Sequence, residues 1–171
     1  AVSFVYWSGG SQQSQLGGTG NWYLINSVAS SQAFAGLIAG FTRPFSGQTA
    51  PGSAINFITP QFATNNFQVT RWVIDVSGDG AQNDGANTAA ARDAALLAGV
   101  RNINGLAILG ETGLEAWYNA NIKGGPEGFV EVANDFGDFQ RAIETKIGRE
   151  IVSTVPEPST YALMGSGLVG V

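Results

Sequence analysis

The sequence predicts an α/β fold: a doubly wound, mostly parallel sheet with one antiparallel edge strand. Two observations carry this. From residue 70 onward, short apolar and β-branched runs alternate with helical segments, the pattern of parallel strands joined by helical crossovers. Apolar residues make up 44% of the 171-residue chain and charged residues only 12%. That is a globular balance, in a chain long enough for one domain with a real core.

The elements follow in order. Residues 2–7, in "AVSFVYW", read as a strand, and "WYLIN" (22–26) as its antiparallel neighbour. The polar, Gly-rich stretch 8–21 reads as a long hairpin loop between them. Ser27 is placed to cap a helix running to Ile38, with Val28, Phe34, Leu37 and Ile38 on one face. "GFTRPFSGQTAPGS" (40–53) is a loop, and a helix over 53–63 carries Ile55, Phe57, Ile58 and Phe62. Residues 70–76 form a strand. The Ala/Leu-rich segment 85–100 is a helix capped near Asn87 or Thr88 and stopped by Gly99. Then come a strand at 103–109, a short helix at 113–121, a strand at 128–133 and a helix at 135–151. In such sheets ligands bind beyond the carboxyl ends of the strands, which is where "SGDGAQNDG" (77–85) lies.

The tail differs. "VPEPSTYALMGSGLVGV" (155–171) has two prolines and then an apolar run without charge after Glu157. Pro156 ends the preceding helix. The run 161–171 is shorter than the roughly 17–25 residues of a spanning helix, which reads as a peripheral segment or as the beginning of a longer transmembrane one.

Composition narrows the chemistry. The chain has no Cys and no His, which excludes a Ser-His-Asp or Cys-His nucleophile within it and the thiolate and imidazole sites typical of zinc. Carboxylate, hydroxyl and carbonyl oxygens remain, and these suit Mg²⁺, Ca²⁺ or Mn²⁺. A net charge of −5 without a basic stripe argues against nucleic acid. A carboxylate-dependent hydrolase rests only on Glu111, Asp135 and Asp138, scattered over loops and helix starts, where N-capping accounts for Asp135.

The tail resembles the PEP-CTERM sorting signal: residues 155–160 match its Val-Pro-Glu-Pro-Ser/Thr stretch and 161–171 the start of its hydrophobic helix, while its basic cluster is missing. The resemblance implies export across the inner membrane of a Gram-negative bacterium, transient anchoring there through the C-terminal helix, and processing by an exosortase. The body, 1–151, resembles the von Willebrand factor A-like domains, and more narrowly the bacterial domain of unknown function 1194 family. The matching stretches are "VYWSG", "RPFSGQTAPGSAINF", "RWVIDVSGDGAQNDG", "AARDAALLAGVRNINGLAILGE", "GGPEGFVEVANDFGDF" and "KIGREI". Domain boundaries of 1–151 and 152–171 follow.

That resemblance implies a metal-ion-dependent adhesion site built from three segments. Thr49, in "SGQTAPGS", matches the second and Asp79, in "VSGDG", the third. The first, Asp-x-Ser-x-Ser after the central strand, would lie upstream of Ala1. Asp75-x-Ser77-x-Asp79 itself looks like that first segment, but the Thr segment would then have to follow it, and only "GETG" (110–113) is available. Residues 71–79 are therefore read as the fourth strand of the fold. Asp75 is read as a carboxylate satisfied by nearby backbone or hydroxyl groups, and Asn83 and Asp84 as turn and cap residues.

The expected sheet order is 22–26, 1–7, a vacant or collapsed slot, 70–76, 103–109, 128–133. The chain then reads as an internal piece of a longer secreted precursor. The expected function is an exported, non-enzymatic binding or adhesion module that recognises an acidic group on a protein or polysaccharide through a divalent cation held by Thr49, Asp79 and the missing segment. The alternative is a structural envelope or biofilm-matrix protein with no working metal site.

Overall fold

The computed structural model describes residues 1–152. The tail 155–171, read from sequence as a peripheral segment or the beginning of a transmembrane helix, lies outside those residues. No helix among the described residues is long and apolar enough to cross a membrane.

The parallel half of the expected sheet is present. The strands β3 (Trp72–Gly78), β4 (Val100–Ile108) and β5 (Val130–Ala133) pair in the order β3-β4-β5, all parallel. Every residue of β4 except Arg101 is buried, as a central strand covered on both faces requires. Each connection contains a helix: α3 (Thr88–Leu97) joins β3 to β4, and α4 (Leu114–Asn121) joins β4 to β5. Asn87 caps α3 as expected, its side chain accepting from Ala90 N at 2.9 Å. Gly99 turns the chain at φ +105°, a conformation that glycine adopts without a Cβ penalty. The turn is so tight that β4 begins at Val100, three residues before the expected start.

The two faces of the sheet build two cores. Ile74, Val76, Ile103 and Ala107 face α3, α4 and α2 (Pro51–Ile58), with Ile55, Ala91 and Tyr118 filling the space between them. Leu106, Ile108 and Ala133 face α5 (Phe139–Val152) and its Ala142. Burying a side chain such as Ile103 or Leu106, both 0% exposed, contributes about 1.5–3 kcal/mol. Tyr118 reaches β4 only because position 105 is glycine: a Cβ there would stand 2.7 Å from the Tyr118 ring. The helix expected from Ser53 starts at Pro51, whose fixed φ and missing N–H suit a first helical position, and it ends in a 3₁₀ turn, Thr59–Ala63. The helix expected from Asp135 starts at Phe139. Asp135 caps a turn just before it, accepting from Asp138 N at 2.9 Å.

The N-terminal region departs from the expectation. β1 (Val5–Trp7) pairs antiparallel with β2 (Gln13–Gln15), inside the stretch read as a loop. Residues 22–26 form no strand. Tyr23 makes only an isolated antiparallel bridge with Val2, through two backbone bonds of 2.8 Å. The antiparallel partner of the first strand is thus 13–15 and not 22–26, and the pair is no edge of the parallel sheet. The polar side chains of Gln13 and Ser14 hid a strand whose stability comes from backbone pairing across a tight turn, closed by Gln12 N to Gly9 O at 2.9 Å. Helix α1 (Val28–Ala39) forms with Ser27 and Ser30 in a reciprocal cap. Its apolar face is not core, however. None of its residues is buried, and Val28 is 74% exposed.

β1 and β2 make their own sheet, without a ladder to β3. Where the sequence implied a slot, a cleft of about 590 Å³ lies between residues 1–7 and 71–77.

Candidate functional site

Four chain segments meet at the carboxyl ends of β3 and β4: the turn after β1 (8–12), the residues leading into α2 (47–50), the loop after β3 (79–87) and the loop after β4 (109–113). Short hydrogen bonds join them. Ser8, buried, donates its hydroxyl to Gln48 O at 2.8 Å and accepts at its carbonyl from Ala50 N at 2.8 Å. Thr49 N donates to Asn83 Oδ1 at 2.8 Å, and Asn83 N donates back to Thr49 O at 3.0 Å. Gly10 N donates to Asp84 Oδ2 at 2.7 Å. Ala81 N donates to Glu111 Oε2 at 3.0 Å. Loops that would otherwise carry unpaired backbone groups thereby hold one another in place.

The two site residues singled out from sequence are on this rim. Asp79 is exposed and Thr49 partly buried. They belong to segments in direct contact: Thr49 O accepts from Asn83 and Asp84, and a Cβ on Gly80 would lie 3.4 Å from Thr49 Oγ1 and 3.8 Å from Glu111 Oε2. Behind the rim, the Tyr118 hydroxyl is buried and has no hydrogen-bond partner among the described residues. A Cβ on Gly78 would come within 2.8 Å of it. Burial, and after it the negative charge of Asp79, raises the Tyr118 pKa well above the ordinary tyrosine value. This phenol stays protonated and does not serve as a base.

The charged side chains of these four segments are Asp79, Asp84 and Glu111, all acidic. Their oxygens suit a hard cation in kind. They do not suit it in number. Asp84 and Glu111 accept from backbone amides, and no group of three or more acidic residues among those described is arranged to hold a metal ion. Thr49 and Asp79 alone fall well short of the six to eight oxygens of a Ca²⁺ shell or the six of Mg²⁺.

Sequence reasoning missed three placements. Asp84, read as a turn residue, fastens β1's turn to the β3 loop. Glu111, read as scattered, is a rim residue. Asp75, expected to be satisfied by backbone or hydroxyl groups, instead pairs with the Lys146 amine from α5 and accepts from Asn104 Nδ2 at 3.3 Å. The signal for Lys146 was its position: it continues the helical spacing of Phe139, Ala142 and Ile143 toward the sheet, and its side chain is 0% exposed.

The comparisons with known proteins bear out the narrower family named for the body and the sorting motif of the tail. A family model described as "Protein of unknown function (DUF1194)" matches residues 1–155. A second, described as "PEP-CTERM protein-sorting motif", matches residues 154–171. No curated protein and no solved structure matches the chain. The sorting motif marks an exported, exosortase-processed protein of the cell envelope.

Proposed function

The chain belongs to the DUF1194 family, and from that premise we propose that it is a non-enzymatic binding module of the envelope or extracellular matrix of a Gram-negative bacterium, with the rim around Thr49 and Asp79 as its ligand face. One observation carries this reading: four loops distant in sequence are bonded into a single acidic surface at the carboxyl ends of the strands. The parallel order β3-β4-β5 with helices on both faces supports a doubly wound, von Willebrand factor A-like architecture, in which that end of the sheet receives ligands. The ligand is a protein or polysaccharide whose acidic group is bridged to this acidic rim by a divalent cation, since carboxylates facing each other directly repel. A divalent cation enters this reading only where a further oxygen-donating segment joins Thr49 and Asp79.

The test is calorimetric titration of Mg²⁺ and Mn²⁺ into three proteins: this chain, the complete precursor, and the precursor carrying Asp79→Ala. The reading expects no saturable binding by this chain, measurable binding by the precursor, and loss in the variant. Equal binding by precursor and variant removes Asp79 from the site. Absence of binding by the precursor favours the second reading, a structural matrix protein. That reading draws on the same geometry, because Ser8, Asn83 and Asp84 spend their polar groups on tying loops together.

A further inference from the structure

Asp75 and Asn104 stand side by side on β3 and β4, partners in the strand register. Lys146 reaches them from α5. Asn104 is 2% exposed and the Lys146 side chain 0%. The groups converge on one atom: Asp75 Oδ1 pairs with the Lys146 amine and accepts from Asn104 Nδ2 at 3.3 Å. The other end of the Asn104 amide is held as well, since its Oδ1 accepts from Phe129 N at 3.2 Å. The core between this face of the sheet and α5 is apolar, built from Leu106, Ile108, Ala133 and Ala142. An ion pair needs only a lysine and a carboxylate. It does not need a buried amide that touches the same carboxylate oxygen and rests its own carbonyl oxygen on a backbone N–H.

We propose that Lys146 and Asn104 join in an intramolecular amide bond, formed in a single turnover with Asp75 as the proton shuttle. Asp75 takes a proton from the Lys146 ammonium, leaving a neutral amine and a neutral acid, the forms that a dry site tolerates best. Nζ then attacks Asn104 Cγ, and the Phe129 N–H steadies the negative charge that develops on Oδ1. Asp75 passes its proton to Nδ2, the Cγ–Nδ2 bond breaks, and ammonia leaves. The second proton that Nζ gives up departs with it, as ammonium, and Asp75 is a carboxylate again. Nothing is oxidised or reduced. Packing holds amine, amide and shuttle together, which removes the entropy cost of their encounter. The ion pair is the state before reaction. Variants lacking Asp75 or Lys146 stay unlinked, so comparisons among them read the pair alone.

The bond has a use at this place. The chain contains no cysteine, so no disulfide staples it. The sorting motif, residues 154–171, follows directly on α5, and a pull on the C-terminus loads α5 before it loads the sheet. An amide from Lys146 to Asn104 carries that load through covalent bonds into β4.

Intact-mass spectrometry of the full chain, kept folded at neutral pH, tests the proposal. The expected mass lies below that of the sequence by one ammonia. Tryptic digestion should give a branched peptide joining the Lys146 and Asn104 segments, without cleavage after Lys146. Lys146→Arg and Asp75→Asn should keep the full sequence mass while circular dichroism shows them folded. A wild-type chain at full mass after prolonged incubation overturns the proposal. So does ammonia loss without the branched peptide, the result of ordinary succinimide formation at an asparagine, and so does a link to Asp75 with loss of water. A linked Asp75→Asn variant overturns the role of Asp75 as the shuttle.

Discussion

Asp75→Ala probes an ion pair between α5 and the sheet, Asp75 with Lys146. The Lys146 side chain is 0% exposed, whereas that of Asp75 is 41% exposed. The pair is therefore asymmetric. Removing the carboxylate leaves a dry ammonium that has lost this counter-charge; removing the ammonium leaves a carboxylate that water reaches. Breaking a buried pair by deleting one partner costs about 3–5 kcal/mol. Water around Asp75 screens the interaction and places Asp75→Ala near the lower end, about 3 kcal/mol. Lys146→Met keeps the stem's packing and removes the charge, for an expected cost of about 1 kcal/mol or less. The double variant should recover most of the loss of Asp75→Ala, because it no longer buries a cation. For a domain of this size 1 kcal/mol corresponds to about 2–4 °C, so Asp75→Ala should lower Tm by roughly 6–12 °C. Urea and thermal unfolding followed by circular dichroism measure all three variants. If Lys146→Met proves as damaging as Asp75→Ala, or the double variant fails to recover stability, the asymmetry argued from burial is wrong.

Two further outcomes are expected from packing and from titration. Gly52→Ala would put a Cβ 2.3 Å from the Ala86 carbonyl oxygen, a backbone atom; the shift this forces between α2 and the loop entering α3 should cost about 1–3 kcal/mol, outweighing any gain in helix propensity, and urea unfolding reads it directly. Tyr118, its pKa raised by burial and then by Asp79 from the ordinary value of 10.0, should contribute no tyrosinate absorbance at pH 11 while the protein is folded. The unfolded state ionises first, so stability should fall as pH rises past about 10, and Tyr118→Phe should flatten that fall; an unchanged alkaline profile in the variant would refute the assignment.

Local pattern alone determined the second half of the fold. The Ala-rich run with Asn87 before it and Gly99 behind it specifies a helix between two strands, because cap, propensity and stop agree over adjacent residues. The same locality places "SGDGAQNDG" at a strand end, and with it Asp79 on the rim. The hairpin of β1 and β2 was not legible, since Gln13, Ser14 and Gln15 have no apolar alternation and are held by backbone pairing that no side chain announces. The packing of α1 was not legible either: Val28 and Leu37 satisfy the helical period, yet periodicity does not say whether another element covers the face. Only the tertiary structure decided which carboxylates have partners. Asp75, Asp84 and Glu111 look alike in sequence, but Lys146, Gly10 and Ala81 come from positions remote along the chain. The energy of a charge depends on what the fold brings within about 3 Å of it, and that distance is set by packing.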